Sequence, residues 1–217
     1  MLPIAELDGN TQGSFDQREK RSIEIIQAAQ KEYRQALIQR KVPADFRQPF
    51  DRSNQEVDWQ SIDRVMAWDG KQSIFAKGIS GVGKTRAIYA LLQNELIRNG
   101  RNWLRLNEAQ ILTKISDAAR EYELDQLRRE WLAADILWFD DLDKVDFKRG
   151  VTGSNAETIV FGTIKARAES FKTTFICTNL SLLESFQGQH TYESLKRRVG
   201  CDKWLIAHFK KPTNRKD

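Results

Sequence analysis

Apolar residues gather in two patterns along the chain. Short, nearly unbroken runs at 73–76 (SIFA), 103–106 (WLRL), 136–139 (ILWF), 174–177 (TFIC) and 204–209 (WLIAHF) have the length and composition of strands buried on both faces. Longer stretches between them space their apolar residues as helices do. The first of these, 86–99, is followed by Gly100, well placed as a C-terminal cap. Strands alternating with helices predict an α/β domain with a five-stranded parallel sheet and helices on both faces.

Ahead of this alternation the pattern changes. Residues 1–13 show little periodicity, whereas 14–41 carry Ile26, Ala29, Tyr33 and Leu37 among many Gln, Lys, Arg and Glu, the spacing of an amphipathic helix. Pro43 ends it. A helix with one modest apolar stripe needs a surface to dock on, either its own domain or a partner. Next come a connecting stretch with Pro49 and DRSN, then a short helix around Ile62, Val65, Met66 and Trp68. The organisation predicted is a small helical region over 1–45, a linker and short helix over 46–70, and the main domain over 71–217.

Composition narrows the class. At 217 residues, 40% of them hydrophobic, with 11 Phe and 6 Trp, the chain can bury one full core. It has no apolar run near the roughly 20 residues that span a bilayer and no basic-then-apolar leader, so a soluble cytoplasmic protein without membrane contact is expected. Cys177 and Cys201 form no C-x-x-C pair, and His190 and His208 are isolated, which predicts a reducing compartment and no zinc site. Residues 1–70 carry 10 Lys and Arg against 12 Asp and Glu, leaving 25 against 18 for the rest of a chain with 35 and 30. This basic surplus in the main domain suits an anionic polymer or an ordinary solvated surface equally well.

The chemistry is concentrated at the first strand-to-helix junction. Residues 73–89 read SIFAKGISGVGKTRAIY, in which Gly78, Gly83, Lys84 and Thr85 fit the phosphate-loop spacing G-x-x-x-x-G-K-[ST], with Gly81 in addition. Glycines let successive N–H groups turn inward around phosphates, and the helix that follows presents its positive end. Gly78, Ile79, Ser80, Gly81, Val82, Gly83, Lys84, Thr85 and Arg86 are therefore the expected nucleotide-binding residues. Lys84 is to reach the β- and γ-phosphates and Thr85 to hold Mg2+.

Hydrolysis needs acid groups as well. In ILWFDDLD an apolar strand ends in Asp140 and Asp141, at the carboxyl edge where α/β sheets place reacting groups. Asp140 is expected to hold Mg2+ through water and Asp141 to polarise the attacking water. Asn179, at the tip of the strand in TTFICTNLS, either caps the next helix or holds that water beside the γ-phosphate.

VPADFRQPF, GISGVGKTRA, LAADILWFDDLDK, TIKARAESFKTTFICTNLS and LKRRVG, in this order, resemble AAA+ ATPases of the DnaC helicase-loader type and the related IstB transposition helpers. The resemblance covers most of residues 42–210. It implies a five-stranded AAA+ P-loop core that binds ATP and Mg2+ and hydrolyses ATP between neighbouring subunits of an ATP-dependent oligomer. It also implies that the usual C-terminal helical lid is missing. Arg198, beside Arg197, becomes the candidate arginine supplied in trans, and Arg167 matches a family arginine of undetermined role. Asp141 stands where many AAA+ proteins have Glu, and the shorter arm predicts slow turnover.

The resemblance further implies a helical element facing single-stranded DNA, here NEAQILTKISDAAREYELDQLRREW, with Lys114, Arg120, Arg128 and Arg129 as possible phosphate contacts. The same span carries Asp117, Glu121, Glu123, Asp125 and Glu130, so an ordinary solvated helix pair competes with that reading. Lys148 and Arg149 suit a DNA contact or a surface turn. The N-terminal helix is the region that would grip a replicative ring helicase. Three functions follow: a helicase loader, a transposition helper that binds duplex DNA and recruits a transposase, or a nucleotide-gated adaptor with little turnover.

Overall fold

The computed structural model describes residues 10–54, 56–145, 150–179 and 204–210. The chain divides into two compact units, Met1–Asp45 and Phe46–Asp217. The first is built on one helix, α1 (Asn10–Lys41), which starts four residues before the predicted position. Once a helix is nucleated each further residue adds a hydrogen bond, so it runs on through Gly13 despite that residue's low propensity. Arg40 and Lys41 in its last turn complement the negative helix end, and Pro43 follows. Ile23, Ile25, Ile26 and Tyr33 along it are exposed. A single turn, α2 (Ala44–Arg47), comes next.

In the second unit, α3 (Trp59–Met66) leads into β1 (Ser73–Lys77), α4 (Lys84–Asn99), β2 (Trp103–Leu106), α5 (Glu108–Arg120), α6 (Leu124–Ala133), β3 (Ile136–Phe139), α7 (Gly150–Glu169), β4 (Thr173–Thr178) and β5 (Trp204–His208). All strand pairs are parallel, in the order β2-β3-β4-β1-β5. The five strands and their parallel pairing are those the alternation predicted. Residues 46–70, read from sequence as linker and short helix, belong to this unit.

Side chains alternate across the sheet as the strand period of two requires. Phe75, Leu106, Leu137, Phe139 and Ile176 point to one face and pack with Ile111 and Ile115 of α5, Leu127 and Trp131 of α6, and Val160 and Ile164 of α7. The other face meets α3, α4 and the turn after α3 through aromatic edges: Tyr89 against Trp138 at 4.8 Å and Trp68 against Phe175 at 5.2 Å between ring centroids. Helix ends are closed as the sequence suggests. Gly100 takes a left-handed conformation and donates its N–H to the Leu96 carbonyl, while Asn107 and Gln110 form a reciprocal capping box on α5.

Phe46 stacks on Tyr89 at 4.9 Å, and its carbonyl accepts from Gln93 Nε2. Arg86 donates to the carbonyls of Gln48 and Pro49 and lies over the Phe50 ring. Positions 86, 89 and 93 share one face of α4, so the segment 46–50 is laid along that helix rather than linking freely.

Arg167, matched to a family arginine by resemblance, is fully buried. Its Nε donates to Thr174 Oγ1, and its terminal nitrogens reach the carbonyls of Trp131, Leu132, Ala134, Asp135 and Thr173 at 2.5–3.4 Å. It pins the end of α6 to the starts of β3 and β4. Among the described residues no helix is long and apolar enough to cross a membrane.

Candidate functional site

The carboxyl tips of β1, β3 and β4 converge because of strand order. Gly78 donates its N–H to the Thr178 carbonyl, Phe209 donates to the Lys77 carbonyl, and Asp140 donates to the Leu106 carbonyl. The first two bonds clamp the start of the phosphate loop between β4 and the end of β5. Gly78, at φ 152°, is required there, since a Cβ would lie 2.2 Å from the Phe209 carbonyl oxygen. Gly83, at φ 99°, precedes α4 as its cap, and a Cβ there would press on Val57 and Ile62 of the α3 region. Having no side chain, Gly83 leaves the leading N–H groups of α4 for an anionic ligand.

Lys84 extends inward from the first turn of α4 and is nearly buried. Its ammonium donates to the Gly78 carbonyl, to the Ile79 carbonyl at 2.8 Å and to Asn179 Oδ1 at 3.1 Å. Burial pushes its pKa down, and the carboxylates of Asp141, Asp143 and Asp140 offset part of that. Thr85, next along, donates its hydroxyl to Asp140 Oδ1 at 3.2 Å. Lys84 thus meets Asn179, and Thr85 meets Asp140. The remaining loop residues are graded by exposure: Ile79 is exposed at 53% and Val82 is buried at 3%.

Asp140 is buried and therefore needs a counter-charge. Arg105, on β2, supplies it through Nε at 3.1 Å and a terminal nitrogen at 2.7 Å, both to Asp140 Oδ2. The guanidinium also lies over the rings of Tyr89 and Trp138, 5.5 and 5.2 Å from their centroids. Sequence reasoning missed Arg105, although a lone charge inside the apolar run WLRL was the available signal.

Asp141 adopts a left-handed conformation, φ 55°, and accepts from Lys144 at 2.6 Å, which raises the Lys144 pKa. Asp143, also missed, accepts from both the backbone N–H and the side-chain amide of Asn179, each at 2.9 Å. Its signal was the third acid in DDLDK.

The possible DNA contacts are engaged with acids in part: Lys114 pairs with Glu130 at 3.4 Å and Arg120 with Asp117 at 3.9 Å, while Arg128 and Arg129 are exposed. Lys148, Arg149, Arg197, Arg198 and Cys201 lie outside the described residues.

A hydroxyl and a carboxylate side by side at the foot of a glycine loop form an all-oxygen donor set, which suits a hard cation such as Mg2+. The cation Lys84 and the bare helix end suit the phosphates it accompanies. The residues present therefore fit a magnesium nucleotide.

No protein-family model and no curated protein matches the chain. Solved structures do. Domain III of the Thermotoga maritima replication initiation protein DnaA aligns with a TM-score of 0.56 at 22% identity, over 71% of this chain and 61% of that one. A replication initiator DnaA bound to AMPPCP and single-stranded DNA aligns at 0.52 and 16%, over 70% and 44%. A Streptococcus pyogenes serotype M3 protein, described as a candidate primosome component, aligns at 0.53 and 14%, over 81% and 93%. The chain shares the fold of these replication proteins. The chain spans about three-fifths of the Thermotoga domain and under half of the nucleotide-bound DnaA. At such identities the likeness carries the architecture, a five-stranded parallel P-loop sheet flanked by helices and preceded by an N-terminal helix, as the sequence resemblance implied.

Proposed function

We propose that this AAA+ chain is an ATP-driven switch of DNA replication that helps place a ring helicase on single-stranded DNA. The observation that carries the reading is the joint arrangement at the sheet tips, where Lys84 joins the loop to Asn179 and Thr85 joins it to Asp140. Its structural neighbours include a DnaA bound to a nucleotide analogue and single-stranded DNA and a candidate primosome component, which supports a replication role.

In this reading the loop from Gly78 to Arg86 binds the triphosphate, and Lys84 exchanges the Gly78 and Ile79 carbonyls for phosphate oxygens. Mg2+, held through Thr85 and Asp140, would supply charge that offsets the phosphates. Asp141 orients water after leaving Lys144, Asn179 faces the same water, and Arg198 of a neighbouring copy completes the site in trans. The two helical segments from Glu108 to Ala133 face the DNA, and α1 grips the helicase.

The test is recovery of partners by the tagged protein with ATP and Mg2+, with and without residues 1–41, together with ATP turnover on single-stranded and duplex DNA. A ring helicase captured by the full chain and lost on truncation, with turnover stimulated by single strands, is expected. A transposase with duplex-dependent assembly would replace this reading by the transposition helper. Nucleotide binding without turnover would leave the adaptor.

A further inference from the structure

Asn179, at the tip of β4, carries an amide, which can present either its oxygen or its NH2 group to a ligand. Its orientation is decided here by partners of unambiguous chemistry. An ionised carboxylate only accepts hydrogen bonds, and an ammonium only donates them. The NH2 group donates to Asp143 Oδ2 at 2.9 Å, and the oxygen accepts from Lys84 Nζ at 3.1 Å. The other Asp143 oxygen takes the Asn179 backbone N–H at 2.9 Å, so both backbone and side chain of residue 179 are held by one carboxylate. Asp143 is in turn fixed by the single 3-10 turn Leu142–Lys144, whose Leu142 and Val145 are buried in the main core.

Resting on the ATPase reading above, we propose that Asp143 is a positioning residue that locks the Asn179 amide with its oxygen toward the reacting end. Asn179 then serves as a hydrogen-bond acceptor there. It can take a hydrogen bond from Lys84 or from the O–H of the attacking water, while its NH2 group is turned to Asp143, which holds one of the two N–H donors. The lock also ties this acceptor to the turn that carries Asp140 and Asp141, so the three groups keep one relative placement as the loop changes partners.

Replacing Asp143 by Asn swaps an acceptor-only group for one that can donate to the Asn179 oxygen, which allows the amide to reverse. The expected result for Asp143→Asn is a fall in kcat of about 10- to 100-fold, the usual range for loss of a partner that orients a functional ligand. ATP affinity stays within about twofold. Combined with Asn179→Ala, the change should lower kcat little further, because the orienting role proposed for Asp143 runs through Asn179. Additive losses, or a fall in ATP affinity as large as that in kcat, would overturn the proposal.

A second readout is independent of turnover. The Asn179 side-chain NH2 resonances, identified by their loss in Asn179→Ala, should exchange slowly in the 15N-labelled full chain and at free-amide rates in Asp143→Ala. Fast exchange in the wild-type chain sinks the lock. A wild-type chain that turns over no ATP but shows the protected amide sinks the ATPase reading and leaves the lock standing.

Discussion

Two cations are buried at opposite ends of the same sheet, and they are held in different ways. Arg167, below the starts of β3 and β4, is surrounded by five backbone carbonyls and a threonine hydroxyl drawn from α6, the two residues that join it to β3, and β4. Lys84, at the strand tips, has three acceptors: two are carbonyls of a glycine loop and the third is Asn179. Burial pushes the pKa of both down, that of Arg167 to about 10. A cation whose partners cannot move serves the fold, whereas one whose partners can be exchanged is free to serve a ligand.

The sharpest way to break this contrast is to remove Lys84. Lys84→Ala should weaken ATP binding about a thousandfold, the loss of two charge-assisted hydrogen bonds at about 2 kcal/mol each, while leaving thermal unfolding almost unchanged. Titration with a fluorescent ATP analogue beside a melting curve checks both halves, and a large drop in Tm would make Lys84 another structural cation.

Arg167→Met is the mirror experiment. It leaves buried carbonyls without a donor and should cost about 3 kcal/mol, roughly 10 °C in Tm for a unit of this size, with ATP affinity of the folded fraction unaltered.

Arg105 sharpens the comparison because it lies between the two cases, a cation paired with the carboxylate proposed to hold Mg2+. Arg105→Gln should raise the Mg2+ concentration needed for tight nucleotide binding about tenfold, measured by titrating Mg2+ at fixed ATP. Metal-independent affinity should change little.

The smallest effect concerns the edge strand. Burial, with Lys77, Arg64 and Lys210 adding, sets the His208 pKa below its ordinary 6.5. The unfolded chain therefore takes up the proton first on acidification, and stability should decline as pH falls below 6.5 toward the folded value. His208→Gln should flatten that slope in denaturant titrations across the same window.

Sequence pattern carried the sheet well, because strands buried on both faces are nearly continuous apolar runs and the glycine spacing marks the loop between β1 and α4. It carried the site only as far as local spacing reaches. That Arg105 meets Asp140 depends on the register that sets Arg105 opposite Trp138 across β2 and β3. That Asp143 holds Asn179 depends on β3 and β4 lying side by side, 36 positions apart in the chain. Arg167 stood out only by its match to a family arginine, which gave it no role. Only the carbonyls gathered from α6, β3 and β4 show why it is buried.

The place of β1 in the sheet has a consequence for the order in which the protein is made. Its neighbours, β4 and β5, are among the last described segments of the chain, and the bonds that clamp its loop reach Thr178 and Phe209. At ribosomal speed the interval between Gly78 and Thr178 is on the order of ten seconds. During that time the phosphate loop exists as a sequence without an anchor, since neither clamp can form. A nascent chain therefore cannot take its nucleotide early. The loop stays unclamped until β4 and β5 arrive.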